Sequence, residues 1–549
     1  MTTADPAATP ADPAVPAKVA PSLADRWLRF EETLDRWGDH LSPILVKEAR
    51  QAMKSRQFVV TFSLLLIFGW LWTVIFVAVT LPGVFFAPHG PGVLSGYYVV
   101  LSIPLLIVVP YAAFRSLAGE REDGTYELLS ITTLTARQIV LGKLGSAVLQ
   151  MIVYYSALAP CIAFTYLLRG IDVVTIALFL AYSFLASLLL SIFGLMMATI
   201  TQSRHWQILL SVVFVMALLG FVVGWDSAML SLIFNMENMP FDQADFWMAN
   251  LCILSFYVPF AILMLLIAAG QITFASENRS TPIRAVLIVP PAMLIVWCVY
   301  YWLRIEFEGP LFMLAIFGGI YWTVVGAFLT GESAQLSPRA MRGLPQTIAG
   351  RMAFTWFNPG SATGYMFALL NLLTLLLVGT AVVVWGIAAH LNSPPELEVW
   401  FPLTICILAY VAGYVGLTHL FAVFARRVAP ITLLAAFLLQ LILVLMGALV
   451  PFLLQIVLGY LTNTPWEYSW LQLPNWAWTL SEIGGWRRSA VGFWEVTIIA
   501  GCGLAIFLAN LIVAAREVEF VRQQAPRRVL EDDAALHPAA LKTKKSPWD

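Results

Sequence analysis

Glu120-Arg121-Glu122-Asp123 places four charged side chains in a row, and Gly124-Thr125-Tyr126-Glu127-Leu128-Leu129 follows at once. Gly124 suits a helix stop, because glycine enters the left-handed region without a Cβ clash. Thr125 to Ile131 can then form a short helix showing Leu128, Leu129 and Ile131. Thr135 and Gln138 have the spacing of a capping box, so a new helix is expected from Ala136. A compact element with an apolar patch and fixed charges suits docking onto a soluble partner. The alternative is an ordinary loop whose charges are simply solvated.

A second segment has similar character. In LSPILVKEARQAMKSRQF, Ser42 is a good N-cap and Pro43 suits the first helical position. Ile44, Leu45, Ala49, Ala52 and Met53 share one broad face, and Lys47, Arg50, Lys54 and Arg56 lie largely off it. A basic amphipathic helix of this kind lies along a membrane surface.

Motifs for catalysis are missing. Gly142-Lys143 is followed by Leu144 and lacks the upstream glycine of a phosphate loop, and neither H-E-x-x-H nor G-x-S-x-G occurs. The five cysteines, Cys161, Cys252, Cys298, Cys406 and Cys502, lack the paired spacing of a metal site and read as small buried hydrophobes. No catalytic, cofactor-binding or metal-binding residue is expected. Any work the protein does must be powered from elsewhere.

The elements that position these segments are set by composition. Of 549 residues 60% are hydrophobic and only 11% charged, against about 25% charged in an average soluble domain. The charge falls in islands between apolar runs long enough to cross a bilayer. Twelve runs are expected: Phe58–Thr80, Leu94–Phe114, Leu144–Leu168, Val173–Thr201, Trp206–Gly224, Ala249–Phe274, Ala285–Leu303, Pro310–Thr330, Thr363–His390, Phe401–Ala425, Ile431–Tyr460 and Val496–Ala515. The fold class is therefore all-α, a polytopic integral membrane protein. A polar cytoplasmic tail (1–40) and an interfacial helix (41–57) precede a first six-span half (58–274). A second six-span half (285–515) and a C-terminal tail (516–549) follow.

With the N-terminus inside, 27 of the 31 Lys and Arg face the cytoplasm, and only Arg169, Arg304, Arg487 and Arg488 lie outside. That bias places both termini in the cytoplasm of a cell with this protein in its plasma (inner) membrane. An outer loop then carries Asp226, Glu237, Asp242 and Asp245. Between their capping residues the expected spans hold no Asp, Glu, Lys or Arg, which argues against a proton-driven carrier. His419 reads as a packed side chain, with a proton carrier as the sharper alternative, and Asn371, Gln440, Gln455 and Asn510 as links between helices, with the lining of a polar path as theirs. The segment Leu461–Trp494 holds six tryptophans and reads as an ordinary interfacial belt, with a substrate-facing lid as the sharper alternative. Near-neutral net charge names no partner, and nucleic acid is not expected.

Together the two charged segments resemble the type-2 ATP-binding-cassette (ABC) exporter permease family. Its helix before the first span begins with Asn-Pro and continues with an acidic and several basic residues; Ser42-Pro43, Glu48, Arg50, Lys54 and Arg56 match, with Ser for Asn. Its loop between the second and third spans carries E-R-E-x-G-T-x-E-L-L, a T-x-L turn and I-V-L-G-K. These correspond to Glu120 through Leu129, Thr133-Leu134-Thr135 and Ile139-Val140-Leu141-Gly142-Lys143, with Thr135 where the family often has Pro. The resemblance covers about residues 41 to 220. It implies a permease with no ATPase of its own, docked through Glu120, Arg121, Glu122, Gly124, Thr125, Glu127, Leu128 and Leu129 on a separate nucleotide-binding subunit. ATP and Mg would be used by that partner, and the Ser42–Phe58 helix would be the connecting element.

Such permease units commonly have about six spans and work in pairs, so twelve spans imply two units fused, or else a homodimer. The Gly331–Gly360 loop stands where a second docking loop would, but it lacks E-R-E-x-G-T, and Glu332, Arg339 and Arg342 only echo it; it reads equally as a degenerate docking loop or a plain connector. A non-transporting membrane scaffold with a docking loop is the main alternative function, and an ion-coupled carrier a further one.

Overall fold

The computed structural model describes residues 43–81, 83, 86–122, 134–200, 204–235, 240–274, 277–332, 350, 354–391, 394–428, 431–462, 467–485, 491–522 and 527–536. The described residues form helices and no strand. Twelve helical stretches are long and apolar enough to cross a membrane, so the chain is an all-α, multi-pass membrane protein. Gly124 to Leu129, Ser42, Arg339 and Arg342 lie outside the described residues.

The chain divides into two compact units. The first comprises Met1–Leu134, Gln138–Ser191 and Val212–Phe234; the second comprises Thr135–Arg137, Ile192–Ser211 and Asn235–Asp549. The amphipathic segment is helix α1 (Pro43–Lys54), with Pro43 at its start as expected. Ile44 and Ala49 are buried, while Lys47, Arg50 and Lys54 are exposed. Ser55 ends the run and caps α2 (Arg56–Thr80), accepting from Phe58 N at 3.1 Å.

The second span is α3 (Gly90–Ile103), one π-helical turn (Pro104–Val108) and α4 (Val109–Glu122). Pro104 has no N–H to donate, and its ring crowds the carbonyl one turn back, so the regular ladder widens there. Ser187, from α6 (Val173–Ile200), donates to the Leu105 carbonyl at 2.5 Å. Helix α5 (Ala136–Leu167) starts at the residue that the Thr135/Gln138 spacing marks. Fourth comes α6, and fifth α7 (Arg204–Phe234).

Helix α8 (Ala244–Ile272) precedes a short amphipathic helix, α9 (Ser280–Leu287), which turns at Ile288 into α10 (Val289–Ile305). Then come α11 (Gly309–Leu329), α12 (Ser361–Ala388), α13 (Leu397–Ala425) and α14 (Leu433–Thr462). The core of the second unit lies among α11, α12 and α13, where Trp322, Tyr365 and Trp400 are fully buried. Small residues let these helices approach closely, the usual route to packing where lipid offers no hydrophobic drive. A Cβ on Gly318 would meet Leu375 of α12 at 2.8 Å, and one on Gly319 would meet Ile407 of α13 at 2.8 Å.

The described middle of the Trp-rich segment, residues 467–485, packs against α13 and α14. After α14 the chain forms a 3-10 turn (Trp470–Gln472) and helix α15 (Trp476–Ile483), then α16 (Phe493–Arg522) and α17 (Arg527–Leu536). Tyr410 donates to the Leu473 carbonyl at 2.6 Å, Tyr414 to the Pro474 carbonyl at 2.5 Å, and Trp476 to the Val444 carbonyl at 3.1 Å. Tyr414 stands 17 residues inside the Leu397 end of α13, roughly 25 Å at the helical rise. Val444 stands 18 residues inside the Thr462 end of α14, roughly 27 Å. The segment therefore dips deep into the bilayer from the end where α13 begins and α14 ends, and α15 climbs back. Irregular backbone survives at that depth only when its polar groups are satisfied by protein or water. Gln472 supplies much of this: it donates to the Pro451 carbonyl at 2.9 Å and to Gln455 at 2.5 Å, and accepts from Asn475 at 2.9 Å.

Candidate functional site, a buried coupling junction

Lys143 is the centre of the site. It lies eight residues into α5, so it is not the cap before an apolar run but two turns inside the helix. Its side chain is 1% exposed. The ammonium nitrogen stands 3.2 Å from a Glu48 carboxylate oxygen, 3.0 Å from one of Glu120, and 3.0 Å from the Ser116 carbonyl. An ammonium group has three protons to give, and here there are three acceptors. Glu48 comes from α1, Ser116 and Glu120 from α4, and Lys143 from α5.

Packing fixes the same joint. Gly142 and Gly145 lie on the α5 face that receives α1. A Cβ at Gly142 would meet the Ile44 side chain at 2.5 Å, and one at Gly145 would meet Leu45 at 2.6 Å. The surface helix is thus seated on α5 by two missing side chains and locked by one buried cation. Breaking such a pair by removing one partner leaves an uncompensated charge and costs about 3–5 kcal/mol.

Of the sequence-marked docking residues, the structure brings Glu120 together with Glu48 and Lys143. Glu120 is a partner in a buried ion pair rather than a solvated charge. Arg121 and Glu122 continue α4 to its end, and only their backbone is described. Lys47, Arg50, Lys54 and Arg56 remain exposed and outside the junction. The pairing of Glu48 with Lys143 spans 95 residues, and neither helix periodicity nor the loop pattern signals it. The one sequence signal is Gly142 beside the lone lysine of an apolar helix.

The second unit has a larger polar cluster. Arg284 of α9 is fully buried. Its guanidinium donates to Glu332 at 2.5 Å, to the Trp356 carbonyl at 2.7 Å and to the Gly360 carbonyl at 3.1 Å. Ser280 also donates to Glu332, at 3.0 Å. Arg426, just after α13, donates to the Thr330 and Glu332 carbonyls, each at 2.9 Å, and to Ser361 at 2.8 Å. His419 joins through Ser361 at 3.3 Å and Asn510 at 2.6 Å, with its ring stacked on Tyr365. It is a packed histidine, as its position implies. Gln440 and Asn510 do link helices, to Thr418 and His419, whereas Asn371 bonds only its own helix at Phe367.

One expectation fails. Asp226 is not in a loop: α7 runs two turns beyond it, and the stretch His205–Phe234 meets the criteria for a span. Ser102 donates to its carboxylate at 2.8 Å, and the adjacent Trp225 donates to Tyr98 at 2.8 Å. Aspartate ends an apolar count, but the helix ladder does not stop for it when a serine on α3 supplies a hydrogen bond. The spans are therefore not free of ionisable groups; Lys143, Asp226 and Arg284 all lie within them. Among the described residues no cluster of His, Cys, Asp and Glu could hold a metal.

No protein-family model, curated protein or solved structure matches this chain.

Proposed function

We propose that the protein is the membrane permease subunit of an ABC exporter, moving a substrate outward or out of the bilayer with ATP hydrolysed by a separate nucleotide-binding subunit. The observation that carries this reading is the Glu48–Lys143–Glu120 junction. The loop between α4 and α5 is the segment that resembles the family's docking element. Both helices flanking it are tied to each other and to α1 through one cation. A displacement of the loop by a closing partner would move α1, α4 and α5 as a body. Surface helix and spans would then shift together, which is what coupling to a soluble motor requires. In this reading α1 and the loop face the cytoplasm, as the distribution of basic residues also implies.

The test is co-expression with a nucleotide-binding ATPase subunit, purification through a tag on this chain, and an ATPase assay in lipid. Recovery of the ATPase, with hydrolysis several-fold above the isolated subunit, is expected. A purified chain that carries no ATPase and supports transport collapsing with an ion gradient would remove the reading in favour of a coupled carrier, with Asp226 its foremost carboxylate.

A further inference from the structure

The second unit repeats the architecture of the coupling junction with its charges rearranged. In the first unit a short amphipathic helix (α1) precedes the first span, the second span ends near Glu120, and the third begins with α5. In the second unit a short amphipathic helix (α9) leads through Ile288 into α10, with which it forms one apolar stretch, Ser280–Ile305; the next span ends just before Glu332, and the following one begins with α12. The two short helices open on related sequences, Ser42-Pro43-Ile44 and Thr281-Pro282-Ile283. In each unit one nearly inaccessible cation binds a glutamate at the end of the second span: Lys143 with Glu120 at 3.0 Å, and Arg284 with Glu332 at 2.5 Å. In each, that cation ties three elements together. Lys143 resides on the third span and reaches the amphipathic helix through Glu48. Arg284 resides on the amphipathic helix and reaches the third span through Gly360 and Thr363. The cation has changed elements; the joint has not.

We infer that Arg284, Glu332 and the turn leading into α12 form a second coupling junction, so that one copy of this chain engages two nucleotide-binding ATPase subunits, one through each half. The inference rests on the permease reading above. The absence of the charged loop motif from the second half does not count against it, because the joint is built from residues outside that motif. A buried pair held further by hydrogen bonds from Arg284 to Trp356, Gly360 and Thr363, and to Glu332 from Ser280 and the Gly360 N–H, goes well beyond what an exposed connector needs, since surface ion pairs contribute little. Arg284 is also the residue that the planar, forked geometry suits, gathering two carbonyls and a carboxylate at once.

The experiment counts subunits. Two differently tagged copies of the chain are co-expressed with the ATPase subunit, and the purified complex is weighed by native mass spectrometry. In parallel, single cysteines at Arg137 and Phe354, both exposed positions beside the two junctions, are cross-linked to the ATPase. One chain with two ATPase subunits, no exchange between tags, and capture at both cysteines within about 2-fold of each other is the expected result. Two chains with two ATPase subunits, and capture at Arg137 alone, would overturn the inference and leave the permease reading standing. A complex with no ATPase at all would remove both. The counting uses the unaltered chain, so no outcome depends on whether a junction variant folds.

Discussion

Lys143 holds one positive charge against two carboxylates in a nearly water-free joint, so its removal costs more than a contact. Lys143→Met should destabilise the protein by about 3–5 kcal/mol, because Glu48 and Glu120 then both lose the buried ammonium that they share. Adding Glu48→Gln and Glu120→Gln to that variant should recover most of the loss, since replacing a whole buried ionic group is often neutral. Thermal unfolding in detergent measures both; a triple variant that melts no higher than the single would remove the electrostatic account. Glu308 gives a pH test. Burial first, and then the neighbouring Glu396, hold its carboxyl above the usual carboxylate range. The folded state therefore binds that proton more tightly than the unfolded chain, and this group's contribution to stability falls as pH rises through the window. Glu308→Gln should melt higher than the parent at pH 7, and the difference should vanish below the ordinary carboxylate range. A difference that persists in acid would assign the gain to packing.

At the scale of elements, α15 and the turn before it are the clearest departure from a plain bundle. Their polar groups are satisfied inside the protein, so the dip should exclude water-borne reagents. A cysteine placed at the buried Thr479 should react slowly with a membrane-impermeant maleimide in sealed vesicles, and one at the exposed Gly485 should react fast from one side. Equal rates along the segment would return it to the membrane surface. Gln472→Leu should destabilise by about 1–3 kcal/mol, because the Asn475 amide then loses the acceptor it has in Gln472, while Gln455 keeps Ser469 and Glu467. A variant as stable as the parent would mean that water reaches that amide.

For the whole molecule the expected orientation has a direct test. In right-side-out vesicles an engineered cysteine at Gln243 should be labelled from outside, and one at Arg137 only after permeabilisation. The opposite pattern would place α1 and the charged loop away from any cytoplasmic ATPase and end the coupling argument. The same orientation puts α9 and Glu332 on the cytoplasmic side, because an even number of spans separates α9 from α1. Both junctions then face the compartment that holds ATP.

Sequence by itself determined what depends on local chemistry. Uncharged runs longer than a bilayer is thick must be helical, since hydrocarbon offers no partner for a free N–H or C=O. That reasoning yields twelve spans, the start of α1 at Pro43, and the start of α5 at Ala136. It stops where a charge sits inside a helix, because counting apolar residues cannot see the partner that makes the charge tolerable. Lys143, Asp226 and Arg284 were therefore placed at or beyond the ends of spans, and the chain carries all three into them. Their partners, Glu48 and Ser102 on other helices and Glu332 just beyond the end of α11, are 95, 124 and 48 residues away. The re-entrant course of the Trp-rich segment is decided the same way, by carbonyls on α14 and tyrosines on α13 that no local pattern reveals. Only the packing of helices distant in sequence brings a buried cation to its acceptors, and so only the tertiary structure shows the joint on which the proposed coupling rests.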